Sequence, residues 1–146
     1  MQLVFDRLTS LGYMTNLVGR LLVREIDGHL APHGISVGYM PVFFALAAGE
    51  TLTQRDLATS AQVEQPTMAA TLSRMERDGL IERRANPDDG RSALISLSEE
   101  GRSKLAAVHA AATAVNAKAA EQLTAAEREQ LIALLHRVAG TLGTVS

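Results

Sequence analysis

Between Gly79 and Ser98 the helical period that governs the rest of the chain gives way to two short runs, LIERRA (Leu80 to Ala85) and SALISLS (Ser92 to Ser98), joined through NPDDGRS (Asn86 to Ser92). Ile81, Leu94, Ile95 and Leu97 are β-forming side chains in runs of strand length, and Pro87 and Gly90 between them are turn residues. A β-hairpin with a stiff, polar tip is expected. Two strands alone are not stable in water, so the hairpin has to lean on the helices beside it. The chain is thereby confined to a mainly α fold carrying one small two-stranded hairpin.

Helical signals flank the hairpin on both sides. From Leu8 to Leu30 the apolar residues Leu8, Leu11, Met14, Leu17, Val18, Leu21, Leu22, Ile26 and Leu30 recur at threes and fours, which predicts one long helix ending near Pro32 and Gly34. A second helix is expected over Tyr39 to Ala48, starting close to Met40 or kinking at Pro41. Thr53, with Asp56 three residues on, caps a short helix through about Ser60. Pro66 suits the first turn of the next helix, which runs to Asp78 and stops at Gly79. Beyond the hairpin, Ser98 followed by Glu99 and Glu100 starts an alanine-rich helix reaching about Gln122. TAAE (Thr124 to Glu127) is a capping box for the last helix, whose Leu131, Leu134, Leu135, Val138 and Leu142 form one stripe. The outer helices carry more apolar surface than the central unit can cover, and a second subunit is the simplest way to bury it.

At 146 residues the chain is read as a single domain, 1–146. It has no cysteine, which excludes disulfides, thiolate nucleophiles and cysteine-ligated zinc. No apolar run reaches the roughly 18 residues that span a bilayer, and no signal peptide is recognisable, so a cytoplasmic protein without a membrane partner is expected. Phosphate loops, paired carboxylates and partnered histidines are missing from the sequence, so no enzyme and no cofactor is expected. His29 and His33 are four apart, but the helix is ending there, and no metal is assigned to them.

LTQRDLATSAQVEQPTMAATLSRMERDGLI (Leu52 to Ile81) has the spacing of two helices joined by a tight turn around Ala61 to Glu64, a helix-turn-helix. At 100° per residue, Met68, Leu72 and Met75 of the second helix face inward, while Pro66, Ala70, Ser73 and Arg77 lie opposite, with Thr67, Ala69 and Arg74 at the edges. A face that is small at its start and cationic at its end suits descent into a major groove. Gln65 and Thr67 can bond base edges or phosphates, Arg74 and Arg77 can reach phosphate or guanine, and the N-terminal amides form an anion site. A helix-turn-helix followed by a β-hairpin is a winged helix, and one arginine at the wing tip, Arg91, suits the narrow, electronegative minor groove. Arg84 on the wing is a further DNA-facing candidate. The charge balance is less favourable: between Thr53 and Ser98, Arg55, Arg74, Arg77, Arg83, Arg84 and Arg91 stand against Asp56, Glu64, Glu76, Asp78, Glu82, Asp88 and Asp89.

Over nearly its whole length the chain resembles the MarR family of bacterial transcriptional regulators. The resemblance lies in LTQRDLA, in VEQPTMAATLSRMERDGLIERR and in NPDDGRSALISLSEEG, and its most specific part is the wing: Asp89, one spacer and Arg91, then a β-run and Leu97 to Gly101. It implies a homodimer in which residues 1–34 and 99–146 form the dimerisation part and residues 36–98 the winged helix-turn-helix. Two such units would read a pseudo-palindromic duplex about one turn between half-site centres. By position, Gln65, Pro66, Thr67 and the exposed face after them would enter the major groove and Arg91 the minor groove, while Arg83 and Asp89 would brace the wing. It further implies a repressor released by a small aromatic or lipophilic ligand, for which Tyr13, Met14, Tyr39 and Phe43 are the candidate pocket. The alternative is a winged-helix protein-interaction module without specific DNA binding.

Overall fold

The computed structural model describes residues 6–143; the extremities of the two expected dimerisation segments, residues 1–5 and 144–146, lie outside the described residues. Six α-helices and one hairpin follow the expected order. Helix α1 is Leu11–Leu30, three residues shorter at its start than the apolar period suggested. Ser10 is the reason: its backbone is extended, its hydroxyl accepts from the Tyr13 N–H at 3.2 Å, and Arg7–Thr9 before it form a separate 3₁₀ turn. A capping hydroxyl starts a helix where it stands, whatever the period upstream. Helix α2, Met40–Leu46, carries Pro41 in its first turn, where a missing N–H breaks no bond, and therefore does not kink.

Helix α3, Gln54–Ala61, begins with Thr53 Oγ1 accepting from the Asp56 N–H at 3.1 Å. It ends in a turn that puts Gln62 at φ 58°, with the Val63 N–H bonded to the Ala58 carbonyl and the Gln62 N–H to that of Thr59. Helix α4, Gln65–Arg77, ends in the same way at Gly79, φ 75°, with Leu80 N–H on the Met75 carbonyl and Gly79 N–H on that of Glu76. Both are Schellman ends, which satisfy last-turn carbonyls through a left-handed residue. The second uses glycine; the first uses glutamine, which no turn rule flags in the sequence.

Strands β1 (Ile81–Ala85) and β2 (Ala93–Leu97) pair antiparallel with Ile81 opposite Leu97 and Ala85 opposite Ala93. Leu52 adds a third, single-residue rung: its N–H and carbonyl bond both ways to Ile95, at 3.0 and 2.8 Å. The loop before α3 is therefore tied to the wing. Helix α5, Glu99–Ala119, is capped by Ser98, and α6, Ala125–Leu142, has both halves of the capping box at Thr124 and Glu127. The backbone N–H of Thr124 holds the Glu127 carboxyl below the usual carboxylate range.

The core gathers Leu30, Phe43, Leu46, Leu57, Leu72, Met75, Ile95 and Val108, so α1 to α5 and the wing share one apolar interior. Helix α6 takes no part in it. None of its residues is buried, and Leu131, Ile132, Leu134, Leu135 and Leu142 are exposed, as are Leu11, Val18, Leu21 and Val23 on α1. Apolar surface of this extent is an interface in waiting.

Candidate nucleic-acid interface

Helix α4 presents the two faces that its spacing predicts. Met68, Leu72 and Met75 are buried, together with Thr71, while Gln65, Pro66, Thr67, Ala70, Ser73, Arg74 and Arg77 are exposed. Its first turn has no side-chain cap: Glu64 before it accepts the Met68 N–H through its backbone carbonyl, and its side chain makes no cap bond, leaving the Gln65 and Thr67 amides free to meet an anion. Along its length the helix disposes of its own polar groups. The Thr71 hydroxyl donates back to the Thr67 carbonyl at 3.1 Å and accepts from Arg74 at 3.5 Å, which steers the Arg74 guanidinium along the outer face.

The wing tip is built by Asn86 and Asp89. Asn86 Oδ1 accepts from the Asp88 N–H at 3.0 Å, Asp89 Oδ1 accepts from the Arg91 N–H at 2.9 Å, and Asn86 Nδ2 donates to the Ser92 hydroxyl at 3.0 Å. Such side-chain to backbone bonds are the chemistry of tight turns. Spent in this way, Asp89 leaves the Arg91 side chain exposed and without an ion-pair partner among the described residues.

The expected brace between Arg83 and Asp89 is divided between two other contacts. Both residues line one cleft, but the ion pair of Arg83 is to Glu76 on α4, and Asp89 serves the Arg91 amide. Asp78 is also occupied, accepting from the Tyr39 hydroxyl at 2.6 Å and lying 3.5 Å from Arg77. The Tyr39 hydroxyl, then Arg77, hold its carboxyl below the usual range. Three of the seven acids counted against this region, Glu76, Asp78 and Asp89, are thus engaged internally, and Arg55, Arg74, Arg84 and Arg91 make no ion pair among the described residues.

Between wing and helices lies a polar cleft of about 570 Å³, lined by Thr53, Gln54, Arg55 and Asp56 of the α3 start, by Gln65 of the α4 start, and by Arg83, Asn86, Asp89 and Arg91 of the wing. Two helix N-termini and three arginines converge there, a setting for backbone phosphates. Gln54 and Arg55 were not singled out from sequence. The cue was available, since they follow the Thr53 cap directly, but it took the Leu52 to Ile95 rung to bring that cap against the wing.

The four residues read as a ligand pocket have other duties. Tyr39 and Phe43 are buried in the core, 3% and 0% exposed, and Tyr39 is bonded to the end of α4. Tyr13 and Met14 are half-buried on α1, with the Arg7 guanidinium 5.9 Å from the Tyr13 ring centre. The cavities beside α1 are lined instead by Leu11, Thr15, Val18 and Leu22 and their neighbours on α5 and α6. His29 and His33 are exposed, and no group of three or more metal-ligating side chains occurs among the described residues. No helix among them is long and apolar enough to cross a membrane.

This arrangement recurs in known proteins. The model of the MarR family matches residues 33–92, the span from the end of α1 to the wing tip. Over that span the chain is similar to the MarR family. Among curated relatives, it is 27% identical over 128 residues to the HTH-type transcriptional repressor Rv2887 of Mycobacterium tuberculosis, covering 88% of this chain and 92% of that one. It is also 27% identical to the HTH-type transcriptional regulator BilQ of Clostridium symbiosum, over 90% of this chain and 92% of the other. Two solved structures with DNA are similar to it throughout. The transcriptional repressor CouR on a 23-mer duplex has a TM-score of 0.82 at 26% identity, covering 94% and 99% of the two chains. The MepR–DNA complex of S. aureus has a TM-score of 0.83 at 25% identity, covering 92% and 99%.

Proposed function

We propose that this protein is a MarR-family, cytoplasmic, sequence-specific regulator of transcription that binds double-stranded DNA as a homodimer and acts as a repressor. The observation that carries the reading is the pairing of an uncapped, small-faced α4 start with an unpaired Arg91, set on opposite sides of one polar cleft. A helix of that kind can enter the major groove while the wing arginine reaches the adjacent minor groove. Residues 36–98 would do the binding. Residues 1–34 and 99–146 would join the protomers, through the apolar faces of α1 and α6. In this reading Gln65, Thr67, Arg74, Arg77 and Arg84 contact bases or phosphates and Pro66, Ala70 and Ser73 let the helix come close. Repressor and regulator relatives, and relatives solved on duplexes, support it. Release by a small aromatic or lipophilic ligand belongs to the same proposal, with an entry other than the core cluster of Tyr39 and Phe43.

Selection of bound fragments from a random duplex library, at two salt concentrations, tests it. A pseudo-palindrome whose enrichment weakens as salt rises is the expected result, because phosphate contacts release counterions. A verified dimer that enriches no sequence would overturn it.

A further inference from the structure

Glu76 is an acid on the helix that has to approach a polyanion, and an uncompensated carboxylate there opposes binding. Its carboxylate is taken by Arg83, with side chains 50% and 31% exposed. Both ends of this ion pair are held by rigid backbone. Glu76 lies in the last turn of α4, where its carbonyl accepts from Gly79. Arg83 is the middle residue of β1, opposite Ile95, which is itself bonded both ways to Leu52. Gln65 and Glu76 are three turns apart on α4, at about 3.6 residues per turn, and so share one side of the helix. Arg83 and Gln65 line the same cleft, which makes that side the one facing the wing. The remaining covalent tie from α4 to β1 is the short Asp78 to Leu80 link, so the ion pair closes a ring between helix and wing.

We propose that Glu76 and Arg83 are positioning residues that set the distance between the major-groove helix and the minor-groove wing, so that Gln65 and Arg91 engage the duplex together. The inference rests on the DNA-binding reading above. An exposed pair contributes little to stability by itself; what it supplies is a fixed wing angle. This gives an unusual sign. Removing an acid from a DNA-facing helix ordinarily strengthens binding, whereas removing this one weakens it.

The test uses the full-length protein and the duplex recovered by selection, with Glu76→Gln, Arg83→Gln and the exchanged pair Glu76→Arg with Arg83→Glu. Each single variant is expected to lose about three- to tenfold in affinity, with discrimination lost mainly at the outer, minor-groove base pairs. The salt slope and the thermal midpoint should stay as in the parent, and the exchanged pair should recover most of the affinity. Tighter binding by Glu76→Gln would overturn the proposal. So would a salt slope reduced by about one in Arg83→Gln without recovery in the exchanged pair, which would make Arg83 a phosphate ligand. If the unsubstituted protein selects no duplex, the DNA-binding reading and this inference fall together; that failure shows in the parent and is distinct from failure of a variant.

Discussion

Arg91 is presented to solvent with its nearest acid committed to the backbone of the turn: Asp89 binds the amide of Arg91 itself, leaving the guanidinium unclaimed. Arg91→Ala should therefore weaken operator binding by about 1–3 kcal/mol and leave the circular dichroism and dimer mass unchanged; equal affinity at matched salt would take the wing out of recognition. Gly101 shows the opposite kind of residue, one that matters through absence. A Cβ there would lie 2.1 Å from the Leu80 carbonyl oxygen, in backbone that cannot rotate away. Alanine is ordinarily the better helix residue by about 1 kcal/mol, yet Gly101→Ala should destabilise by about 1–3 kcal/mol or more in urea unfolding. The Tyr39 to Asp78 bond carries a pH signature. The folded state holds the Asp78 carboxyl low, so its contribution is complete at neutral pH and is lost as pH falls through and below the ordinary carboxylate range. Tyr39→Phe should accordingly be less stable than the parent at pH 7, with the gap narrowing toward about pH 3 in paired denaturation curves; a constant gap would assign the loss to packing alone. Neither Gly101 nor Tyr39 was legible for these roles in the sequence, because each depends on a partner brought near only by folding.

Elements were more legible than contacts. Ser98, Thr53 and Thr124 announce helix starts chemically, and all three accept the expected bonds from residues three positions on. The hairpin was readable from its turn residues and β-formers, with ends differing by a residue. Where the reading missed, a cap or a long-range partner prevailed: Ser10 delays α1 against an unbroken apolar period, and Leu52 joins the sheet from a loop with no strand signal. Among the site residues, the exposed face of α4 and Arg91 followed from spacing alone, while the Arg83 partner could not be deduced, since Glu76, Asp88 and Asp89 are equally plausible acids in one dimension. Helix α6 offers the clearest test at this scale. Leu134→Lys with Leu135→Lys should produce a species that sediments as a monomer and is largely unfolded, because an obligate dimer often lacks a stable protomer. A well-folded monomer would show that this stripe lies outside the interface.

For the whole molecule, the joint between the winged helix-turn-helix and α5 is small. The Ser98 hydroxyl donates to the Gly79 carbonyl at 2.6 Å and accepts from the Gly101 N–H at 3.0 Å, while its own N–H meets the Leu80 carbonyl at 3.0 Å. The end of α4, the wing and the start of α5 therefore share one buried residue, Ser98. The formal net charge of −2 offers no general attraction to nucleic acid, so affinity must come from where a few arginines point. Helix α6, 18 residues with none buried, bears on the fate of the chain before it finds its copy. Such a helix has little to keep it closed, and segments of low local stability are where proteases cut. Limited proteolysis of a dilute sample should nick first within residues 125–142, and the rate should fall as protein concentration rises. Unmatched protomers would then be removed faster than matched ones, and the pool would clear its own surplus halves.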